Sequence, residues 1–437
     1  YTTGGRLKTR TWPGIDQDGS NIETTYDYHP GTGELIGVTY SDNAMTPLSF
    51  EYDRLGRLKT VSDATGSRQF EYDPETLELT SETIKKLDEN QNEIIIAIIE
   101  RRYQSSGKDE VPGRYAGFSI DNFYHIDYGY DIYGRLKLVE DEIDGLTDSF
   151  EYSYADGSDL IQRLFYAGNN GRITRTWEPD RDLVKQIENR FDNQVVSQYD
   201  FQFDANGNIT DILNSGRALS RAIEAKEAEL GPDGFSLDSF YNDPYFDYQI
   251  DREFRAYAFD NAGNRTGATD WNDDVDHPRI LSYFANDLNQ YEQIDSDTNG
   301  TVKSTYITHD DDGNPTEVEN DRTVQYRYDS ENRLIEVFPE VPQNNDFKLE
   351  FAYDYMGRRI QKKVSIYGFG SWAEEKTVHF IYDGWNIIQE ITETKNEQQE
   401  SQFQSTYHTW GPDLSGSMTG AGGIGGLLST VDPTRSR

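Results

Sequence analysis

The sequence predicts an all-β fold built from antiparallel hairpins, and three observations support this prediction. An aromatic residue followed by Asp recurs along the 437 residues, with Gly or Asn, a basic or amide residue and an apolar residue a few positions later. Aromatic and polar residues alternate before many of these Asp residues, as in a half-buried strand. Helical spacing is clear in one stretch. We therefore expect strands throughout, with one short inserted helix.

The recurring motif has three clear copies and several looser ones. The clear copies carry the aromatic residue, Asp, Gly and Arg at Tyr52, Asp53, Gly56 and Arg57; at Tyr130, Asp131, Gly134 and Arg135; and at Tyr353, Asp354, Gly357 and Arg358. The looser copies contain Phe203, Asp204 and Gly207; Phe259, Asp260 and Gly263; Tyr328 and Asp329; and Tyr382 and Asp383. Two further pairs, Tyr26-Asp27 and Tyr72-Asp73, fit only the first half of the motif.

Each copy is interpreted as a β-hairpin. In the first clear copy, the run 50–52 alternates Phe, Glu and Tyr, so its rings form one face of a strand. The Asp53 carboxylate can accept hydrogen bonds from backbone N–H groups two residues on, which opens a turn. Gly56 tolerates a positive φ that closes the turn, and Leu58 then starts the return strand.

The chain is expected to divide into a β-repeat region over residues 1–410 and a Gly-rich segment over 411–437. Within the first region, residues 216–231 break the pattern. Leu219, Ile223, Lys226 and Leu230 follow helical spacing, and Gly231-Pro232 would stop a helix. We expect a helix of about three turns, inserted as a surface excursion between two strands.

Composition narrows the possible partners. With 79 acidic and 41 basic residues, the chain carries a formal net charge of -38 and would repel nucleic acid or an anionic membrane surface. No apolar run approaches the length of a membrane span, so no membrane insertion is expected. The absence of cysteine excludes disulfides and thiolate chemistry. The 30 Tyr and 21 Phe can supply a core through aromatic packing.

These motif copies resemble the YD repeats of Rhs proteins, of the C component of bacterial ABC toxins and of teneurins. Two further strings, 382–386 and 410–428, resemble the approach to the Rhs-associated core. The resemblance implies that the hairpins spiral into a hollow shell or barrel wall. It also implies a secreted or cell-surface protein of bacterial origin. We expect the chain to be a segment of a longer protein.

The resemblance further implies two kinds of role. In the toxin branch the shell encloses a C-terminal toxin, so the expected partner is another segment of the same polypeptide. In teneurins the shell is part of an adhesion receptor, which keeps an adhesion module for glycan or protein as the alternative. The string 432–435 lacks the Gly of the family's self-cleavage signature. No catalytic residue is therefore assigned, and a polysaccharide hydrolase is a third and weaker alternative.

The sequence matches known metal-binding and cofactor-binding motifs only in part. Asp295, Asp297 and Asn299 reproduce the first half of a calcium loop, but Tyr306 stands where the bidentate Glu belongs. A polar hairpin turn is the preferred interpretation, with weak calcium binding as the alternative. Residues 420–425 match a G-x-G-x-x-G spacing, yet no apolar strand precedes them, so a dinucleotide site is rejected. No cofactor is expected.

Histidines and tryptophans give no clear site either. The six His residues show no metal-ligand spacing. The six Trp residues could stack on sugars if exposed, but we expect most of them to pack in the wall. For the adhesion alternative, Trp271 and Trp372 are the residues to test.

Overall fold

A computed structural model describes residues 1–15, 19–41, 45–88, 90–107, 110–168, 170–192, 194–215, 253–271, 278–396, 398 and 400–433. The described residues form 31 β-strands and no helix. The all-β prediction is therefore confirmed. The helix predicted for residues 216–231 lies outside the described residues.

The chain divides into two units, one made of residues 1–147 and 307–437 and the other of residues 148–306. The N-terminal part of the first unit contains β1 Thr9–Ile15, β2 Asn21–Tyr28, β3 Leu35–Tyr40, β4 Leu48–Tyr52, β5 Leu58–Asp63, β6 Gly66–Tyr72, β7 Leu79–Leu87, β8 Glu93–Tyr103, β9 Tyr115–Ile120, β10 Tyr124–Tyr130 and β11 Leu136–Ile143.

The second unit is formed by the next eleven strands, of which the first and last extend slightly past its bounds. They are β12 Leu146–Tyr154, β13 Ile161–Tyr166, β14 Gly171–Trp177, β15 Val184–Phe191, β16 Gln194–Phe203, β17 Ile209–Ser215, β18 Glu253–Phe259, β19 Arg265–Trp271, β20 Arg279–Ala285, β21 Tyr291–Thr298 and β22 Thr301–His309.

The C-terminal part of the first unit contains the last nine strands. They are β23 Pro315–Glu319, β24 Thr323–Tyr328, β25 Leu334–Pro339, β26 Phe347–Tyr353, β27 Arg359–Gly368, β28 Ser371–Asp383, β29 Asn386–Lys395, β30 Ser401–Trp410 and β31 Leu427–Val431.

Consecutive strands pair in an antiparallel manner from β1 to β11, from β12 to β22 and from β23 to β31. The two strands on either side of residues 216–252, β17 and β18, also pair with each other. The ladders of hydrogen bonds therefore form between strands that are neighbours in sequence, so strand pairing is local.

A β-bulge accompanies the motif aromatic. Tyr52 pairs with Leu58 while Glu51 pairs with Thr60, so one residue of β5 is skipped. The same shift precedes Tyr130, Tyr353 and other motif aromatics. A bulge bends its strand and increases the local twist. The repeat therefore sets a bend at the same place in each of these hairpins.

Many of the fully buried side chains of the first unit lie on strands β8 to β11. Ile99, Ile120 and Tyr124 are fully buried there. The Tyr124 ring lies 5.0 Å from that of Tyr407 and 6.1 Å from that of Phe118, measured between centroids. Such aromatic pairs add to the burial of apolar area. In the second unit, the buried side chains include Phe150, Tyr152, Ile161 and Leu164.

Within the first unit, the C-terminal part packs on the N-terminal part with a nearly constant sequence offset. The hydrogen bonds that join the two parts connect residues 268 to 307 positions apart. Several of them connect a C-terminal motif turn with an N-terminal strand, as in the bond that the Thr24 hydroxyl donates to the Glu331 carboxylate. No helix with the length and apolar character of a membrane span occurs in the described part of the chain.

Candidate functional site

The turn that follows an aromatic-Asp pair is called the YD turn here, and in most copies the Asp side chain organises it. In the first clear copy, Asp53 Oδ1 accepts the backbone N–H groups of Leu55 at 2.8 Å and Arg57 at 3.0 Å. Asp53 Oδ2 accepts Nε of Arg57 at 2.7 Å. Asp131, Asp329 and Asp354 repeat this arrangement with Arg, and Asp204, Asp260 and Asp310 repeat it with Asn. One carboxylate thus satisfies most of the donors of its own turn.

These hydrogen bonds favour the ionised form of the Asp. The backbone N–H of Arg57 makes the largest contribution in lowering the pKa of Asp53, with further help from the Arg57 side chain. The side-chain amide of Asn208 acts in the same direction on the pKa of Asp204. A carboxylate that accepts several N–H bonds remains charged well into acid. The YD turns of Asp53 and Asp204 therefore keep their negative charges into acid.

A residue in the left-handed region closes each YD turn. Gly56 has φ of +78°, and its N–H bonds to the carbonyl of Asp53 at 3.1 Å. Asn332 takes the same place in the copy at Tyr328, with φ of +59°. Gly and Asn are the residues that adopt this conformation at least cost, which explains their alternation at this position of the motif.

The motif tyrosine binds the preceding hairpin. The Tyr52 hydroxyl donates to the carbonyl oxygen of Leu35 at 2.9 Å, and the Tyr353 hydroxyl donates to that of Leu334 at 2.7 Å. Equivalent bonds run from Tyr28, Tyr72, Tyr103, Tyr130 and Tyr382 to carbonyls near the start of earlier strands. Burial raises the pKa of Tyr382 to about 12, so its hydroxyl remains a donor. The motif aromatic is thus a link between repeats as well as a core residue.

The motif arginine binds the following hairpin. The guanidinium carbon of Arg57 lies 4.2 Å from the centre of the Tyr72 ring, and its Nη1 donates to the carbonyl of Leu77 at 3.3 Å. Arg333 lies in the same way over the ring of Tyr353, the next motif tyrosine, at 5.2 Å. Cation–π contacts of this kind contribute about 0.5–1 kcal/mol at exposed sites. Tyrosine and arginine together therefore connect each such hairpin to both of its neighbours.

Several hairpins use the YD arrangement without its sequence, and two of them follow a tyrosine that binds the preceding hairpin. The pair Tyr26-Asp27 is not the motif position, because the turn follows Tyr28 and His29. The His29 N–H bonds to the carbonyl of Glu34, and its ring nitrogen accepts the N–H of Thr32 at 3.1 Å. After Tyr103, Gln104 occupies the Asp position in a longer turn. Since His and Gln replace Asp, the sequence pattern missed both.

A buried network of charged side chains joins the two parts of the first unit. Arg68 binds Glu82 at 2.9 Å and reaches Asp354 at 3.5 Å. Arg101 binds Glu82 at 3.0 Å and Asp383 at 3.1 Å. Two YD aspartates, Asp354 and Asp383, are thus paired with arginines of strands that lie about 285 residues earlier, and Asp354 is completely buried.

The network is completed by Arg358 and Tyr115. Arg358 binds Asp354 within its own turn at 2.7 Å, and the Tyr115 hydroxyl donates to Asp383 at 2.9 Å. Although burial opposes the charge of Arg101, Asp383 and Glu82 raise its pKa. Three cations and three carboxylates are therefore matched. Removing one partner would leave an uncompensated buried charge.

A second buried polar cluster surrounds Asp141 of β11. Its Oδ2 accepts the Thr409 hydroxyl and, at 2.8 Å, the Ser429 hydroxyl. The Tyr124 hydroxyl shares a hydrogen bond of 2.7 Å with the Thr409 hydroxyl. Strands β10, β11, β30 and β31 meet at this point, so the cluster fixes the C-terminal strands to the N-terminal part of the unit.

The Gly-rich loop between β30 and β31 closes on Asp413, a fully buried residue. Asp413 Oδ2 accepts the backbone N–H groups of Ala421 at 2.6 Å and Gly423 at 3.1 Å, and Oδ1 accepts that of Ser415. Two N–H groups of the G-x-G-x-x-G string are therefore bound to a carboxylate of the chain itself.

The calcium candidates lie in the hairpin of β21 and β22. Asp295 accepts hydrogen bonds from Gln293 and Ser304, and Asp297 accepts the N–H of Gly300. Asn299 has φ of +54° and forms the turn with Gly300. In the part of the chain that the structure describes, no three His, Cys, Asp or Glu side chains are grouped as for a metal ion.

Some of the described tryptophans are buried and others are exposed. Trp12 is buried and donates to the Thr24 hydroxyl at 2.9 Å, and Trp410 donates to the carbonyl of Ile387. Trp372 packs edge-on against Tyr367 at 5.1 Å. Trp385, in the YD turn of Tyr382, is 54% exposed. The side chain of Trp271 lies outside the described part.

Comparisons with known proteins relate the chain to one curated bacterial toxin and to solved structures. No family model matches it. The curated double-stranded DNA deaminase toxin A of Burkholderia cenocepacia (strain H111) is 22% identical over 428 residues, which cover 90% of this chain and 27% of the relative. The chain thus spans about a quarter of that protein.

Two solved structures share the fold. The structure of TcdB2-TccC3-TEV matches with a TM-score of 0.65 and 13% identity. That of TcdB2-TccC3 without the hypervariable C-terminal region matches with a TM-score of 0.66 and 14% identity. Each match covers 93% of this chain and 21% of the other.

Proposed function

We propose that the chain is a YD-repeat protein of the Rhs family and that it forms part of a wall that encloses another segment of a larger polypeptide. The enclosed segment is of the toxin type. The wall acts by excluding solvent, proteases and other proteins from its contents, and no catalytic role is assigned to it. The polypeptide is secreted or displayed on the cell surface.

The links between hairpins support the wall. A wall that encloses a segment must have few gaps between its hairpins. Here the motif tyrosine binds the preceding hairpin, and the motif arginine binds the following one. Ladder hydrogen bonds join the same neighbours. Sheet edges that are paired in this way are not available for aggregation with other chains.

The observation that carries the proposal is the similar sequence offset of the contacts that join the two parts of the first unit. The C-terminal hairpins bind N-terminal strands 268 to 307 residues earlier, through buried ion pairs and hydroxyl clusters. An offset of this kind is expected where successive turns of a spiral of hairpins lie against each other. We infer that a spiral of this kind forms the wall.

The comparisons support a toxin as the enclosed segment. The name of the curated relative identifies a toxin, and the chain covers only 27% of that protein. A polypeptide of that size has room for both a wall and a separate active domain. We infer that the protein that contains this chain also has a wall and a separate active domain.

Protease protection tests the proposal. The polypeptide that contains this chain would be isolated from its native source and treated with a nonspecific protease, and the surviving fragments identified by mass spectrometry. We expect a segment outside residues 1–437 to survive while the wall is folded. The segment becomes cleavable in the variant Arg101→Ala, which opens the ion network, and stays protected in the neighbouring control Arg102→Ala. A native polypeptide with no protected segment outside residues 1–437 would overturn the proposal.

A further inference from the structure

A pocket of about 360 Å³ lies in the first unit, beside the YD turn of Tyr382. Strands β9 to β11 supply one side, the residues that flank Trp385 supply another, and the Gly-rich loop between β30 and β31 supplies the third. Pockets that bind small molecules have volumes of about 300–1,000 Å³. This pocket is therefore large enough for one small ligand.

The first side of the pocket is aromatic. Tyr115, Tyr128 and Tyr130 line it, and the rings of Tyr115 and Tyr128 lie 5.7 Å apart with an angle of 41° between their planes. Tyr115 and Tyr130 are held in place, because the Tyr130 hydroxyl donates to the carbonyl of Tyr115 and the Tyr115 hydroxyl donates to Asp383. Fixed aromatic rings offer an apolar contact surface at little cost in conformational entropy.

The other sides of the pocket are polar. Asp383, Asn386, Ser417 and Thr419 bring a carboxylate, an amide and two hydroxyls to the lining. The amide of Asn386 is fixed by a hydrogen bond to the carbonyl of Met418. This combination of a few convergent polar groups with an aromatic surface is typical of a specific small-molecule site.

The charges of the lining select against ionic ligands. Among the described residues that line the pocket there is no Lys, Arg or His, so an anion finds no counter-charge. The carboxylate of Asp383 is already paired with Arg101 at 3.1 Å, which reduces its attraction for a cation. The remaining hydrogen-bonding capacity suits a neutral ligand with several hydroxyl groups.

We propose that this pocket binds a neutral saccharide of one or two hexose units. The apolar face of a sugar ring packs on the tyrosines, and its hydroxyl groups bond to Asp383, Asn386 and the Ser417–Thr419 segment. The volume of the pocket is compatible with one or two rings. This inference does not rest on the proposed enclosure of a toxin.

Titration calorimetry on the intact chain tests the inference. The probes are methyl glucoside, methyl galactoside, methyl mannoside, maltose and cellobiose, with glucuronate and choline as charged probes. The variant Thr419→Trp fills the pocket from the loop, and Thr301→Trp, at an exposed threonine of β22, is the matched control. Circular dichroism verifies that both variants keep the β-fold.

We expect at least one neutral saccharide to bind with a dissociation constant in the millimolar range or below. Binding weakens at least about tenfold in Thr419→Trp, a loss of about 1.4 kcal/mol, and is unchanged in Thr301→Trp. Three results would overturn the inference: no neutral saccharide binds, only a charged probe binds, or Thr419→Trp binds as well as the original chain.

Discussion

The hydroxyl of Tyr353 donates a hydrogen bond of 2.7 Å to the carbonyl of Leu334, the first residue of β25 in the preceding hairpin. This bond joins one repeat to the one before it and uses an atom that phenylalanine lacks. It explains why tyrosine is the more frequent motif aromatic, while Phe203 and Phe259 can supply only the ring.

The variant Tyr353→Phe is expected to lower the free energy of unfolding by about 1 kcal/mol, because the Leu334 carbonyl loses its donor. Urea denaturation followed by far-ultraviolet circular dichroism measures the change. Tyr133→Phe is the control, since Tyr133 is 77% exposed. An equal effect in the two variants would show that the bond to Leu334 contributes nothing.

The variant Arg101→Ala is expected to destabilise the first unit by about 3–5 kcal/mol, because it leaves Glu82 and Asp383 without their common partner. The neighbouring Arg102 pairs with the exposed Asp127, so Arg102→Ala should cost less than about 1 kcal/mol. Hydrogen exchange resolves the effect along the chain. Faster exchange in β28 and β29 in Arg101→Ala alone is the expected pattern, and similar exchange in both variants would refute it.

Gly117 in β9 lies where a side chain does not fit. Its φ is +139°, and a Cβ atom there would stand 1.9 Å from the carbonyl oxygen of Ile126. Gly117→Ala is expected to destabilise the protein by at least about 2 kcal/mol, from backbone strain and overpacking together. At Gly368 nothing lies within 4 Å, so Gly368→Ala should change stability by less than about 0.5 kcal/mol. Thermal unfolding compares the two, and equal melting temperatures would contradict this account.

The stability of the folded state is expected to depend on pH through Glu393, and the sign of this dependence follows from the pKa of its carboxyl group. Burial alone would raise the pKa of Glu393, but hydrogen bonds from Lys86 and Ser401, with the Lys86 charge and His379, lower it to about 2. The folded state therefore binds this proton less readily than the unfolded state, whose value is near 4.5. The stabilisation is fully present above pH 4.5 and is lost as the pH falls towards 2.

The pH effect is measured as a difference between variants, since other carboxylates titrate in the same range. The unfolding free energies of the original chain and of Glu393→Gln should differ most near neutral pH and converge as the pH falls from about 4.5 to 2. A difference that stays constant over this range would exclude a depressed pKa at Glu393.

The hairpins were predictable from the sequence because their determinants are local. The Asp, the Gly or Asn and the alternating aromatics of the copy at Tyr52 lie within a few residues of each other. The same reasoning gave the wrong position at Tyr26-Asp27. The motif tyrosine of this hairpin is Tyr28, and His29 stands where the motif has Asp. A search for an aromatic residue followed by any side-chain acceptor and a Gly would have found that turn.

The contacts that join distant hairpins were not predictable. Arg68, Glu82 and Arg101 occupy ordinary strand positions, and nothing near them in the sequence identifies Asp354 or Asp383 as partners. The partners lie about 285 residues apart, so no local pattern in the sequence identifies them. The pocket at Tyr115 combines three such distant segments and shares this limit.

Cryo-electron microscopy of the native polypeptide that contains this chain tests the enclosing wall most directly. If the wall encloses a segment of the polypeptide, residues 1–437 follow a spiral of hairpins around a space, with density inside it that belongs to a segment outside these residues. A map in which the repeats form an open sheet, or a closed wall around solvent alone, would contradict the account.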